Sequence, residues 1–295
     1  MVGEWAAAGT ALLWTLSSLA WTSAGRHVGA TSVSFIRLLL TIPMLMAYGW
    51  LTRGLPLPTD ADAATWLTLG FSGLLGFFAA DICLFRSFLL IGPRLSLLMQ
   101  ALTPPIAVLL SWIFLDEKLD WRQWLGMAVT LSGIVWVVLE RPERGHHLHA
   151  PRHLRQGIFL SAVSAVAAAL GGVLARAGIG EYDAVAATTL RVFCAMPGYV
   201  ILLTVLGRWG RIGRSLQNGR AMGIMTFGAF VGPCLGAVFY MVALRHCYTG
   251  IVVTIVNTMP VLILPFSIFL YHEKVSPRAA GGALLALAGV ALLVL

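Results

Sequence analysis

Charge is scarce in this chain. Only 11% of its 295 residues are Asp, Glu, Lys or Arg, while 59% are hydrophobic and the mean hydropathy is +0.86. Soluble domains carry about 25% charged residues. A soluble core cannot absorb this much apolar sequence, so the surrounding solvent must be lipid. Signature motifs are absent too. No glycine-rich loop ends in Gly-Lys-Ser/Thr, and neither His-Glu-x-x-His nor Gly-x-Ser-x-Gly occurs. Phosphate-loop, zinc-protease and serine-hydrolase chemistry therefore have no anchor here. The four cysteines (Cys83, Cys194, Cys234, Cys247) are scattered and form no Cys-x-x-Cys. They read as small apolar side chains in helices, not as a zinc or redox centre. No cofactor and no metal are expected.

What is present is a series of apolar runs of about 20 residues. Backbone polar groups in lipid must be satisfied within the protein, by helices or by a closed barrel. Barrel strands would run about 10 residues and alternate, so the chain reads as all-α. Ten segments can be marked: Val2–Ala24, Thr31–Leu51, Ala63–Leu84, Leu95–Leu115, Gln123–Leu139, Gly157–Ala175, Ala184–Leu206, Ala221–Leu244, Ile251–Tyr271 and Pro277–Leu295. The first has no basic region ahead of it and no small-residue cleavage site, so it reads as a retained helix and not a signal peptide. The net charge of +8 does not imply nucleic acid. The arginines lie in connecting loops, where membrane orientation and lipid headgroups account for them.

The chain repeats itself. Pro104, Ser111, Glu117, Lys118, Arg122, Gly126 and Gly133 are matched by Pro260, Ser267, Glu273, Lys274, Arg278, Gly282 and Gly289, every pair 156 residues apart. Seven pairs in one frame argue for duplication. Gly76 and Gly232 keep that frame, while Arg37 with Pro43 matches Arg191 with Pro197 at 154. The expected division is 1–140 as a first five-helix repeat, 141–156 as linker and 157–295 as a second repeat. Two odd-numbered repeats in series enter the membrane from opposite sides, which defines an inverted-topology repeat. Breakers at matching places in such halves point to a substrate site at the repeat interface. The linker carries His146, His147, His149 and His153; a solvated loop is preferred there to a metal site.

Candidate site residues are those with polar or ionisable side chains at membrane depth, where they face protein or water. Asp81 is the one acid well inside a segment, and so the candidate for proton coupling; a structural ion pair near a helix end is equally open to it. Arg86 lies five residues on, a poor helical spacing for direct contact. Arg37 and Arg191 sit in the first two turns of their helices. Snorkelling to the interface is the favoured reading; facing a cavity, they would attract an anionic or zwitterionic substrate. Gln100 and Asn257 precede Pro104 and Pro260 by about a turn, so both substrate hydrogen bonding and helix–helix bonding are open to them. Trp14 and Tyr240 lie deeper than the other aromatics, most of which fall at segment ends as an interfacial belt. Glu117 and Glu273 read as closures of their own helical hairpins.

The repeated stretch, Ser-Trp-Ile-Phe-Leu-Asp-Glu-Lys-Leu after Pro104 and Trp124-Leu-Gly-Met-Ala-Val-Thr-Leu-Ser-Gly133 beyond it, resembles the repeat signature of EamA-type permeases of the drug/metabolite transporter superfamily. Pro260 to Gly289 resembles it again, and Arg37 and Arg191 match the arginine near the start of that family's second and seventh helices. The resemblance implies ten transmembrane helices, a central cavity built from both repeats, and alternating access without ATP. It implies no particular substrate. Basic residues in the loops count 12 on the side away from the termini and 5 on the termini side. That places the termini outside, whereas similar permeases usually keep them in the cytoplasm; orientation stays open.

The reading is a secondary-active transporter of a small polar or amphipathic metabolite or drug, in a bacterial inner membrane and not an enzyme. Its expected partners are a small-molecule substrate and membrane lipids, with proton coupling through Asp81 and monomer or dimer both open. The alternatives are a lipid transporter or flippase of the same fold and a membrane-embedded enzyme on lipid-linked substrates.

Overall fold

The computed structural model describes residues 1–140, 151–271 and 276–294. These form helices and connections, with no strand among them. In chain order the helices are α1 (Val2–Val28), α2 (Ala30–Arg53), α3 (Ala63–Gly73), α4 (Ala80–Gln100), α5 (Thr103–Leu115), α6 (Trp121–Glu140) and α7 (Pro151–Ile179). There follow α8 (Ala184–Val205), α9 (Trp209–Leu216), α10 (Gly219–Ala229), α11 (Ala237–His246), α12 (Thr249–Val256), α13 (Met259–Tyr271) and α14 (Pro277–Val294). Seven helical stretches are long and apolar enough to cross a membrane, with two shorter apolar helices beside them. The expected linker histidines 146, 147 and 149, and Glu273 with Lys274, lie outside the described residues.

Polar residues outside the apolar runs start the helices. Asp62 accepts from the Thr65 N–H at 3.0 Å, Asp183 from Val185 and Ala186 at 3.1 and 2.9 Å, and Asn218 from Ala221 at 3.0 Å. Asp120 and Gln123 cap each other reciprocally at the start of α6. These side chains satisfy N–H groups that a helix leaves orphaned. Gly54, at φ 71°, ends α2 in the left-handed region that a Cβ disfavours.

Several expected segment boundaries change. The backbone is helical throughout 80–100, across the expected gap between the third and fourth segments. Yet Ser87 Oγ and Ser96 Oγ lie 2.6 Å apart, where nine residues of straight helix would separate them by about 14 Å. Ser87 and Ser96, at the facing ends of the expected third and fourth segments, therefore meet side by side. The expected fourth and ninth segments are each broken: α4 gives way to α5 at Ala101–Leu102, and α12 to α13 at Asn257–Thr258. Pro104 and Pro260 each lie just after a break, in the first turn of α5 and α13, where a missing N–H costs nothing. They start helices rather than kink them. The long connection expected at Gly207–Arg220 contains α9, whose Arg211 and Arg214 are exposed while Ile212 and Ser215 are buried. That two-faced pattern suits a helix lying in the membrane surface.

The packing is reciprocal between the two halves. Helix α1 lies along α10, α11 and α12, while α7 lies along α3, α4 and α5. Helix α2 packs on α8, and α6 on α14. In the last pair a Cβ at Gly126 would meet the Gly289 carbonyl, and one at Gly282 would meet the Gly133 carbonyl. Thus each repeated glycine touches the counterpart of the other, and the two backbones approach as only small residues permit. Helices α3 and α10 both run into a wide π turn, at Leu74–Ala79 and Phe230–Gly236. These turns start 156 residues apart and hold Gly76 and Gly232.

Candidate functional site

Arg37 and Arg191 are each the eighth residue of their helix, about 10 Å along it. Neither snorkels. Arg37 forms an ion pair with Asp81 of α4, and its guanidinium lies 5.8 Å from the centre of the Trp21 ring on α1. Arg191 is 4% exposed. It lies between the Phe77 ring of the first wide turn, at 5.1 Å, and the Tyr240 ring of α11, at 5.7 Å. Its Nη1 donates to the Met241 sulfur at 3.3 Å, and its Nε has no acceptor. Among the described residues no carboxylate pairs with it. Arg191 is buried and Arg37 half-buried, and both side chains engage neighbouring helices.

The rings around Arg191 come from both halves. Tyr240 stacks on Trp14 of α1, with ring centres 5.5 Å apart. Glycines make the room: a Cβ at Gly172 of α7 would lie 2.8 Å from the Tyr240 hydroxyl, and one at Gly236 2.6 Å from the Trp14 ring. Tyr199 of α8 donates its hydroxyl to the Phe77 carbonyl at 2.9 Å and packs edge-on against Phe78 at 5.1 Å. Arg37–Asp81 and Arg191 are thus linked through one wide turn, Phe77–Phe78, and one helix, α8.

The remaining candidates fall elsewhere. Gln100 donates to the Ser161 carbonyl and to Ser164 Oγ, at 3.4 and 3.0 Å, and accepts from Thr103. Ser164 donates in turn to the carbonyl of Ala80, next to Asp81. Gln100 is therefore a helix–helix tie that abuts the ion pair. Asn257 bonds back to the Val253 carbonyl of its own helix at 2.8 Å. Arg86 is exposed, with no ion pair among the described residues, and is not brought to the others.

A second buried charge appears where a hairpin closure was expected. Glu117, 7% exposed, does not close its own hairpin; it reaches into the other half. It accepts from Arg176 Nε at 3.1 Å, from the Thr249 N–H at 2.8 Å and from Thr249 Oγ1 at 3.3 Å. Arg176 also donates to the carbonyls of Leu244 and Arg245 at the end of α11. This latch ties α5, α7, α11 and α12 together beside an open pocket of about 410 Å³ lined by Tyr248 and Gly180. Charge-assisted bonds to an incoming helix N-terminus hold the carboxylate there.

Sequence reasoning missed Phe77, Tyr199, Met241 and the Arg176–Thr249 partners of Glu117. Phe77 had a signal, since it adjoins the paired glycine Gly76. The others are ordinary helix residues until the helices are packed.

A bundle of helices long and apolar enough to cross a membrane, with ionisable groups held between them, is the pattern of an integral membrane protein. The family model for the EamA-like transporter family matches residues 1–139 and 155–295, and the chain belongs to that family. No protein with a curated description matches it. A solved crystal structure, described only as that of a protein, aligns over 98% of this chain and 95% of its own at a TM-score of 0.75. At 18% identity it shows the shared fold alone.

Proposed function

We propose that the chain is a secondary-active transporter of a small metabolite or drug, with ten membrane-crossing segments arranged as two inverted five-helix repeats. The observation that carries this is the matching of irregularities: wide turns at Leu74–Ala79 and Phe230–Gly236, and helix breaks at 101–102 and 257–258. Irregular backbone at membrane depth survives only where it lines protein or a cavity. Paired discontinuities are the pattern expected of a site between repeats. The cluster of Trp14, Arg37, Phe77, Asp81, Arg191 and Tyr240 lies at one of the wide turns, and it is the substrate region in this reading. Rocking of one repeat against the other opens the region to each side in turn. The Glu117–Arg176–Thr249 latch spans both halves, so it must break when its end opens. Asp81, released from Arg37, is the group that would carry a coupled proton. A bacterial inner membrane suits an all-helical bundle of this kind.

The test is counterflow in proteoliposomes, with labelled ligands chosen by their thermal stabilisation of the purified protein. Uptake that needs internal cold ligand and responds to a pH gradient supports the reading. A folded protein with no counterflow for any stabilising ligand sinks it.

One observation favours a lipid substrate as a second reading. An open apolar groove of about 460 Å³ runs between α1 and α10, lined by Leu16, Leu19, Ile224, Phe227 and Phe266. Scrambling of a labelled lipid would distinguish the two.

A further inference from the structure

Internal duplication provides a comparison that no second protein is needed for. Arg37 and Arg191 are counterparts at 154 residues. Asp81, the counter-ion of Arg37, has its own counterpart in the 156 frame shared by Gly76 and Gly232. That counterpart is Ala237. One repeat holds a complete ion pair and the other holds only the cation.

Among the described residues, no other carboxylate makes good the loss. The guanidinium is always protonated in proteins and offers five N–H donors. Its acceptor is one thioether, a weak one. Two aromatic faces give partial compensation through their quadrupoles. A Cβ at Gly76 would lie 3.3 Å from Arg191 Nη2, so the guanidinium packs closely against the wide turn at the one position there without a side chain. A buried charge left uncompensated is expensive and is found at membrane depth where function demands it.

We propose that Arg191 is the anion-recognition residue of the transport site, and that the substrate is a small organic anion. Its carboxylate or phosphate supplies the counter-ion that Ala237 does not. Its apolar or aromatic body lies against Phe77, Tyr240 and Trp14. This rests on the transport reading above, which alone leaves the substrate's charge open. The same chemistry is offered by an acidic lipid headgroup, and the experiment separates the two sources.

The experiment measures binding to the full chain in phosphatidylcholine nanodiscs, by calorimetry and thermal shift. Benzoate and phenyl phosphate are the probes; benzyl alcohol and benzylamine are the neutral and cationic controls. Four variants decide the residue. Arg191→Met removes the charge, and Arg191→Lys keeps it. Met241→Glu places a carboxylate where the sulfur now meets Nη1, and Met241→Gln is its neutral match in size. The expected result is binding of an anionic probe and of neither control. At least tenfold of that affinity is lost in Arg191→Met and Met241→Glu and kept in Arg191→Lys and Met241→Gln. Stabilisation by phosphatidylglycerol in place of phosphatidylcholine, with the same variant pattern, also supports the anion site and assigns it to a lipid headgroup. Equal binding of benzyl alcohol, anion binding that survives Met241→Glu, or no response to any anion overturns it. Arg191-dependent binding without counterflow overturns the transport reading alone. Counterflow of a neutral ligand untouched by Arg191→Met overturns the anion site alone.

Discussion

Arg37 and Arg191, each the eighth residue of its helix, sit in two different electrostatic situations. Arg37 faces Asp81 across α2 and α4. Arg191 faces a thioether and two rings. The residue and its helical position are the same, but the neighbours differ: Trp21 and a carboxylate beside Arg37, two rings and a thioether beside Arg191, with Ala237 at the position that matches Asp81. A paired charge in a membrane protein serves cohesion, because each partner removes the other's desolvation penalty. An unpaired one serves something that arrives later, because it lowers the stability of the empty protein.

The comparison breaks most sharply at Asp81. Asp81→Asn should put Arg37 in the condition of Arg191 and cost about 3 kcal/mol, since removing one partner of a buried pair leaves the other uncompensated. Thermal unfolding in detergent measures it, and Arg37→Met added to Asp81→Asn should recover part of the loss. An unchanged melting temperature would mean that the pair is solvated and the contrast false. Glu117→Gln comes next. The amide keeps one acceptor but loses the charge that Arg176 and Thr249 share, so about 1–2 kcal/mol should go. If the latch closes one end, that variant should also raise ligand exit rates from preloaded liposomes.

Arg191→Met is the counter-test, with an effect of opposite sign. Replacing an unpaired buried charge by a side chain of similar reach should leave stability unchanged or raise it by about 1 kcal/mol. A large loss would show that Arg191 is structural after all. The smallest effect belongs to Tyr182, outside the membrane, whose hydroxyl donates to Asp60 at 2.9 Å while Asp60 also meets Arg53 at 2.5 Å. Burial, and then the Asp60 bond, raise the Tyr182 phenol to about 12. Its neutral form is the one the fold favours. The stability it adds is therefore complete below pH 10, the ordinary value, and is lost as pH rises through about 12. Tyr182→Phe should cost about 0.5 kcal/mol near neutrality and abolish that alkaline step in a pH–melting profile.

Much of the fold was legible without coordinates, and for a definite reason. In lipid the backbone must close its own hydrogen bonds, so apolar length alone specifies helices. Asp62, Asp120, Asp183 and Asn218 mark helix starts in the way their chemistry requires. The glycines Gly126, Gly133, Gly282 and Gly289 were legible as repeated positions, but that they let α6 and α14 approach closely was decided by packing. The site was legible in part. Trp14 and Tyr240, chosen for depth, do meet, and Arg191 joins them. Gln100 and Asn257 were chosen for polarity beside a proline, but amides satisfy themselves on whatever backbone is nearest. Arg86 was chosen for its nearness to Asp81 in sequence, yet five residues along a helix put it on another face. Glu117 was assigned to its own turn, while its partners are 59 and 132 residues away.

The sequence by itself determined that this is an all-helical membrane protein with ionisable groups inside its apolar segments, because hydropathy and period are properties of the string. Only the tertiary structure decided which charge meets which. An ion pair is a matter of a few ångströms between helices, and neither Asp81 with Arg37 nor the solitude of Arg191 is written in any one segment of the chain.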